Sequence, residues 1–293
     1  MQGCCYFLTC FSLCLVTLTV AQVPNVDWDK ALGGSNYEEI HSLTATKDGG
    51  VLAAMATVSP GDGDIVGERY GSWDYWVVKL DAQGNEEWQR RFGGDDEDRL
   101  WVSTQTRDGG YLLGGSSYTN ANGDKSESSR GENDYWIIRL DAAGNMLWEK
   151  TIGGDGLDQL QGGVRETLDG GFILAGYSDS NASGDKTGAN RGDWDYWVVK
   201  TDAQGNVLWD KTIGGTEREL LYGLDLTRDG GFILAGASWS GVGGDKDDFL
   251  RGLNDAWLVK LDGEGNIQWQ RTIGGNWEEI GRASCRERVC HRV

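Results

Sequence analysis

The stretch Asp74–Gly94, DYWVVKLDAQGNEEWQRRFGG, recurs three more times along the chain with small changes. It returns as DYWIIRLDAAGNMLWEKTIGG from Asp134, as DYWVVKTDAQGNVLWDKTIGG from Asp195 and as DAWLVKLDGEGNIQWQRTIGG from Asp255, at spacings of 60, 61 and 60 residues. A period of this length is typical of propellers and solenoids, in which each repeat packs against the next one. The sequence therefore predicts a repeat architecture.

Each repeat contains four stretches suited to short strands, separated by glycine-containing turns such as DGG and AQGN. After Asp74, Trp76 and Val78 point to one side of the strand while Tyr75 and Val77 point to the other, so both faces are apolar. A sandwich strand would alternate apolar with polar residues, whereas a propeller blade is covered on both faces by its neighbours. We therefore predict an all-β fold, a β-propeller of four-stranded antiparallel blades.

The repeat boundaries divide residues 22–280 into consecutive blades. We expect an isolated outer strand at 26–34, blades at about 35–94, 95–154, 155–215 and 216–275, and the start of a fifth blade at 276–280, where NWEEI repeats the NYEEI of Asn36. Four repeats are complete, so the sequence predicts an incomplete, truncated propeller. The repeated tryptophans are expected to be buried scaffold residues: Trp76, Trp136, Trp197 and Trp257, and Trp88, Trp148, Trp209 and Trp269.

The two ends of the chain do not follow the repeat. Residues 1–21 carry no charge and contain a long apolar run, which predicts a secretory signal peptide. Residues 281–293 are rich in arginine, and Ile280–Val289 resembles a translated sequencing adapter, so we interpret this tail as non-native. All six cysteines lie in these two segments, and no disulfide framework is expected in the repeats.

The repeats resemble a family of secreted bacterial β-propeller repeat proteins, found in large surface proteins of Bacteroidetes-like bacteria. The resemblance rests on DAWLVKLDGEGNIQWQRTIGG and DGGFILAG and covers Val26 to Ile280. It implies a secreted or cell-surface location and a role in extracellular interaction or adhesion, without an assigned chemistry.

Composition narrows the chemistry that the repeats could perform. The formal net charge of −19 disfavours nucleic acid and anionic membranes as partners, and we expect no membrane insertion once the signal is cleaved. His41 is the single histidine of the repeats and there is no cysteine, which excludes Ser-His-Asp, Cys-His and ordinary zinc chemistry there. Carboxylates remain, and they concentrate in the segments expected on one face, between the blades and between the second and third strands.

One of these loops, DSNASGDK, has the oxygen-ligand spacing of the start of a calcium loop. Asp179, Asn181, Ser183 and Asp185 are the candidate calcium ligands, with Gly184 making the turn. The alternative is a loop whose polar side chains cap their own backbone. The basic residue of each loop, such as Arg130 or Arg191, is expected to pair with the aspartate that opens the third strand.

These features favour a non-catalytic extracellular module that binds a glycan or a protein partner through its acidic loop face and is stabilised by calcium. Two alternatives stay open at this point. One is a carbohydrate-active hydrolase or lyase that uses a pair of Asp or Glu side chains. The other is a structural spacer in a longer surface protein.

Overall fold

The structure, a computed structural model, describes residues 26–275. The predicted signal peptide, the start of a fifth blade and the arginine-rich tail lie outside the described residues. The described chain forms sixteen strands. In order, these are β1 Glu38–Ala45, β2 Val51–Thr57, β3 Asp74–Leu80, β4 Glu86–Phe92, β5 Asp98–Gln105, β6 Tyr111–Ser117, β7 Asp134–Leu140, β8 Met146–Ile152, β9 Asp158–Glu166, β10 Phe172–Ser178, β11 Asp195–Thr201, β12 Val207–Ile213, β13 Glu219–Leu226, β14 Phe232–Ser238, β15 Asp255–Leu261 and β16 Ile267–Ile273.

The strands form four separate sheets, and each sheet contains four strands that are consecutive in the chain. All neighbours within a sheet are antiparallel, as in the β1–β2–β3–β4 sheet. The turns place glycine at positive φ where the hairpins require it, for example Gly49 at 85° and Gly84 at 80°. These sheets are the blades predicted from the repeat, and the β-propeller fold class is confirmed.

Successive blades stack through their first strands, because β1 packs on β5, β5 on β9 and β9 on β13. Apolar side chains of adjacent blades share one cluster at each junction: Leu52 and Val77 of blade 1, for example, meet Leu113 and Ile138 of blade 2. The tryptophans of the third strands (Trp76, Trp136, Trp197 and Trp257) are fully buried, as predicted.

The third strands also carry a hydrogen bond from each blade to the next. The hydroxyl of Tyr75 donates to the carbonyl oxygen of Trp136 at 3.0 Å, and Tyr135 and Tyr196 repeat the contact one and two blades later. A glycine faces each tyrosine: a Cβ on Gly176 would lie 2.6 Å from the Tyr135 hydroxyl. The equivalent residue in blade 4 is Ala256, which has no hydroxyl to donate.

In blades 1 to 3 the tryptophan of the fourth strand lies on the turn of the following blade, whereas Trp269 of blade 4 is 42% exposed and its expected burial is wrong. Trp88 donates its indole N–H to the carbonyl of Ala142 at 3.3 Å and covers Gly144, where a Cβ would come within 2.8 Å of the ring. Trp28 makes the same contacts with Ala82 and Gly84. Residues 26–34 belong to none of the four sheets. Trp28 nevertheless makes the contacts that the tryptophan of a fourth strand makes.

The outer faces of the two end blades are more open than the junctions between blades. Ile273 of blade 4 is 56% exposed, whereas its counterpart Phe92 in blade 1 is 6% exposed. Ile40 of blade 1 is 57% exposed, whereas its counterpart Leu100 is fully buried. Within residues 26–275 there is no helix of the length and apolarity that crossing a membrane requires.

The first strand of every blade contains a bulge. In β1 the register shifts between Ile40 and Ser42, which leaves His41 as the extra residue, and β5 and β13 do the same at Trp101 and Tyr222. In β9 three residues lie opposite Gly176 alone, because Gln159 pairs with Tyr177 and Gly163 with Ala175. This is the place where the third repeat has its additional residue.

Candidate functional site

The carboxylates that recur in all repeats lie at the junctions between blades. In each blade an aspartate of the loop between the second and third strands accepts the amide N–H of the first glycine of the preceding GG pair, at 3.1–3.2 Å. We call these pairs the glycine latches: Gly33–Asp64, Gly93–Asp124, Gly153–Asp185 and Gly214–Asp245. Much of the acidic loop sequence therefore serves to join adjacent blades.

A second carboxylate in each blade accepts the N–H of the second glycine of the pair. These residues open the first strands, and Asp98 and Asp158 accept from Gly94 and Gly154 at 2.8 and 2.7 Å. Burial raises the pKa of Asp98 to about 6 and that of Asp158 to about 7. Both side chains are fully buried. A raised carboxyl pKa is typical of a general acid, but these groups lie out of reach of a substrate.

The predicted calcium ligands take part in hydrogen bonds between the blades. Asp179 Oδ1 accepts the N–H of Leu157 at 2.6 Å, and the Ser183 hydroxyl accepts the N–H of Asp155 at 2.8 Å. Asn181 donates its own amide N–H to Asp155 Oδ1 at 3.0 Å. Calcium at these residues would have to displace such donors.

Asp185 belongs to a glycine latch and also lies 3.2 Å from the guanidinium of Arg130. No group of three or more His, Cys, Asp or Glu side chains in the described part of the chain is arranged to hold a metal ion. Calcium binding by Asp179, Asn181, Ser183 and Asp185 stays a prediction, which a titration would test.

The loop arginines contact the opening aspartates of the third strands in a different way from the predicted ion pairs. Arg130 and Arg191 donate their backbone N–H to Asp134 and Asp195, each at 2.6 Å. Their guanidinium groups pair with the latch aspartates of the next blade, and Arg191 lies 2.5 Å from Asp245. The expected residues therefore pair through the arginine backbone N–H and not through the guanidinium group, which contacts the next blade instead.

The positions that differ between repeats hold aromatic residues and arginines around the loop-side end of the first strands. We call this set the rim: Trp73, Arg99, Tyr118, Tyr177, Trp194, Arg218 and Trp239. The position before the third strand reads Trp73, Asn133, Trp194 and Asn254 in the four blades. The positions next to these repeat from blade to blade, whereas the rim positions do not. The rim therefore lacks the fourfold repetition of the scaffold.

Contacts between blades and within a blade hold the rim residues. The Arg99 guanidinium lies 4.5 Å from the centre of the Trp73 ring, and the Tyr177 and Trp194 rings are 5.2 Å apart. Trp73 and Trp194 directly precede a third strand, and Tyr118 and Trp239 directly follow a second strand. These four rings are half-buried, which leaves part of each ring in solvent. A groove of about 190 Å³ opens between Arg99, Tyr118 and Asn133. Such rings can stack on a ligand while their bodies stay packed.

A larger cavity of about 400 Å³ lies between the first strands and is called the channel cavity. All four blades line it, and the bulge residues His41, Trp101, Gln161 and Tyr222 are among its walls. The His41 and Trp101 rings are 4.1 Å apart, and His41 Nε2 lies 3.3 Å from Glu39 Oε2. The His41 side chain is largely buried at its position in β1.

Sequence reasoning placed function on the acidic loops and missed the rim and the channel cavity. The signal was present in the repeat alignment, where Trp alternates with Asn before the third strand and the bulge residue differs in every blade. The carboxylates were more conspicuous because they are numerous. Their repetition in all blades indicates packing and not recognition.

Comparison with known proteins gives no family. No protein-family model and no curated protein matches the sequence. Among solved structures, a protein of unknown function from Dyadobacter fermentans is 14% identical with a TM-score of 0.47, and the match covers 83% of this chain and 70% of that one. A gluconolactonase from Xanthomonas campestris is 10% identical (TM-score 0.39; 83% and 78% covered).

A GH43 β-xylosidase/α-arabinofuranosidase from a compost microbial metagenome is 13% identical, with a TM-score of 0.39, and the match covers 82% of this chain and 91% of that one. These similarities are too low to transfer an activity. The fold assignment rests on the strand order and pairing of the chain itself, and the chain is a β-propeller module of four described blades.

Proposed function

We propose that this chain is an extracellular, non-catalytic β-propeller module that binds a glycan or a protein partner through its loop-bearing face. One observation carries the proposal: on that face the repeated residues are used for packing, while the rim residues differ from blade to blade. A scaffold needs the same side chain in each blade, so the differences at Trp73, Tyr118, Trp194 and Trp239 favour recognition.

The rim chemistry suits a binding surface more than an active site. Exposed parts of Trp and Tyr rings with nearby arginines are enriched in recognition surfaces. Asp98 and Asp158, whose pKa burial raises to about 6 and about 7, are buried between blades, and Asp124 and Asp185, whose pKa burial also raises, each accept a latch glycine N–H. This favours the binding module over a hydrolase or lyase that uses a carboxylate pair.

The secreted or cell-surface location is part of the proposal. Its support is the apolar, uncharged segment 1–21. Stabilisation by calcium is a further prediction, and the comparison of two latch aspartates described in the Discussion tests it.

A binding screen with rim variants tests the proposed function. The full chain is applied to a glycan array and to immobilised extracellular-matrix proteins, alongside Trp194→Ala, Tyr118→Ala and the control Leu168→Ala. Leu168 is 85% exposed in the turn between β9 and β10, at the opposite end of the blade from the rim. We expect the rim variants to lose about tenfold or more in affinity and the control to be unchanged.

The same glycans, incubated with the protein, are analysed for released or shortened oligosaccharides. We expect none. Turnover that depends on a carboxylate would contradict the non-catalytic proposal, and binding that survives both rim variants would move the site away from the rim.

A further inference from the structure

The channel cavity has the size of a small-molecule site. Its volume of about 400 Å³ lies within the range of roughly 300–1,000 Å³ that is usual for ligand pockets. It is separate from the rim groove, although Trp101 contributes to both. Gln161 and Tyr222 line the channel cavity and do not line the rim groove.

The walls of the channel cavity are built without fourfold symmetry. A channel that only closed the core could repeat one residue at each bulge, yet the four bulges present His41, Trp101, Gln161 and Tyr222. The additional residue of β9 lies in this wall and is accommodated by glycines. A Cβ on Gly162 would lie 2.9 Å from Leu221 Cγ of the next blade. Gln161 itself lies three residues after the opening carboxylate Asp158, the same offset as Trp101 from Asp98.

The polar groups of the cavity are mostly neutral and able both to donate and to accept. The Ser103 hydroxyl lies 3.2 Å from that of Ser42 and 2.8 Å from that of Thr44, and Gln161 supplies an amide. The indole N–H of Trp101 is buried and has no acceptor among the described residues.

The charged groups at the cavity are paired with one another. Arg165 Nε lies 3.3 Å from Asp225 Oδ1, and His41 lies 3.3 Å from Glu39. The formal net charge of −19 also repels anions from the molecule as a whole. Neither an anionic nor a cationic ligand therefore finds an unpaired counter-charge here.

We propose that the channel cavity binds a neutral polyhydroxylated molecule, a single sugar unit or the terminal unit of a glycan. The hydroxyls and the amide match the alternating donors and acceptors of sugar hydroxyl groups, and Trp101 and Tyr222 supply flat apolar surface for the C–H face of the ring. This site is distinct from the rim, and the inference goes beyond the proposed function because it holds whether or not the rim binds a partner.

The test is titration of the full chain with separate monosaccharides, followed by calorimetry and saturation-transfer NMR. The probes are D-glucose, D-galactose, D-mannose and D-xylose, with D-glucuronate and D-glucosamine as charged counterparts. We expect at least one neutral sugar to bind with a Kd on the order of millimolar, more tightly than either charged sugar.

Gln161→Ala and Tyr222→Ala should each weaken that binding about tenfold, while the rim variant Tyr118→Ala and the exposed control Leu168→Ala leave it unchanged. If either cavity variant has a lowered melting temperature, Gln161→Leu and Tyr222→Leu replace it, since the first removes the amide and the second removes the flat ring while both keep much of the packed volume. Absence of binding of every neutral sugar at about 50 mM would overturn the proposal. So would tighter binding of glucuronate or glucosamine, or binding lost in the rim variant and retained in the cavity variants.

Discussion

The third strands and the first strands of the blades differ in how similar their sequences are from one repeat to the next. The third strands (β3, β7, β11 and β15) are nearly identical in sequence, and their tryptophans are fully buried. The first strands (β1, β5, β9 and β13) keep a carboxylate at the start and a bulge, but the bulge residue is different in every blade. One strand type is uniform and the other is diverse within a single chain.

The physical reason is the number of neighbours that each strand has. The third strands of blades 2 and 3 are covered on both faces by adjacent blades, and a change in side-chain volume there affects two junctions. A bulge residue on a first strand points its side chain toward the channel, where fewer atoms constrain it. Differences between repeats are therefore most informative where packing constrains the side chain least.

The largest expected effect tests the uniform strands. Trp136→Ala removes a fully buried ring 4.8 Å from Tyr75 at the junction of blades 1 and 2, and should lower the free energy of unfolding by about 3–5 kcal/mol. Trp269→Ala, at a ring that is 42% exposed, should cost less than about 1 kcal/mol. Denaturant unfolding monitored by circular dichroism measures both, and equal losses would contradict the difference.

The pH dependence of stability tests the buried carboxylates at the blade junctions. Burial raises the pKa of Asp98, Asp134 and Asp195 to about 6 and that of Asp158 to about 7. The unfolded chain releases these protons near pH 4, so between about pH 4 and 7 the folded protein binds more protons. Their contribution to stability is complete below about pH 4 and is lost as the pH rises through 6 to 7.

We therefore expect the melting temperature to fall by on the order of 5 °C between pH 5 and pH 8. Asp158→Asn, which resembles the protonated acid, should reduce this dependence on pH. The exposed control Glu264→Gln should keep it. Differential scanning calorimetry in buffers of constant ionic strength gives the comparison, and a melting temperature that rises over this range would contradict the assignment.

A smaller effect is expected when the same side chain, tyrosine, is changed in the core and in the rim. Tyr135→Phe removes the hydroxyl that donates to Trp197 at 3.0 Å inside the core, and should cost about 1 kcal/mol of stability. Tyr118→Phe changes a half-buried ring of the rim and should leave stability within about 0.5 kcal/mol. Thermal unfolding of both variants measures the two losses of stability. A larger loss for Tyr118→Phe than for Tyr135→Phe would contradict the assignment of Tyr135 to the scaffold and Tyr118 to the rim.

The smallest expected effect concerns two latch aspartates. Asp124→Ala and Asp185→Ala each remove the acceptor of a glycine N–H at 3.2 Å, so each should lower stability by about 1 kcal/mol in EDTA. The measurement is the melting temperature in EDTA and in millimolar calcium. Calcium ligation by the DSNASGDK loop predicts a rise with calcium that Asp185→Ala removes and Asp124→Ala keeps, and no rise in the parent chain, or a rise that survives Asp185→Ala, would contradict it.

The repeat was sufficient to predict the fold because packing is local in this architecture. The period of about 60 residues, the two-sided apolar strand and the turn glycines give the four-stranded blade, and the burial of Trp76 and its equivalents follows from them. Each of these signals depends on contacts within one repeat or between adjacent repeats. The sequence contains them several times over.

The roles of the loop carboxylates could not be predicted in the same way. Asp185 has the spacing of a metal ligand in sequence, but its partner Gly153 lies 32 residues away in the preceding blade and is visible only in three dimensions. The channel cavity was also missed, because it is formed by residues of four repeats. Its residues are separated by the full repeat length along the chain.

The glycine latches have a consequence for how the gene can change. Each latch joins a glycine at the end of one repeat to an aspartate of the next, and the same pair of residue types occurs at every junction. Removing residues 95–154 by recombination between repeats would bring Gly93 before Asp185, and the new junction would have its donor and its acceptor. Unequal crossing-over in phase with the repeat therefore yields shorter or longer chains in which each new junction already has its glycine latch. The number of blades can then change without a compensating mutation.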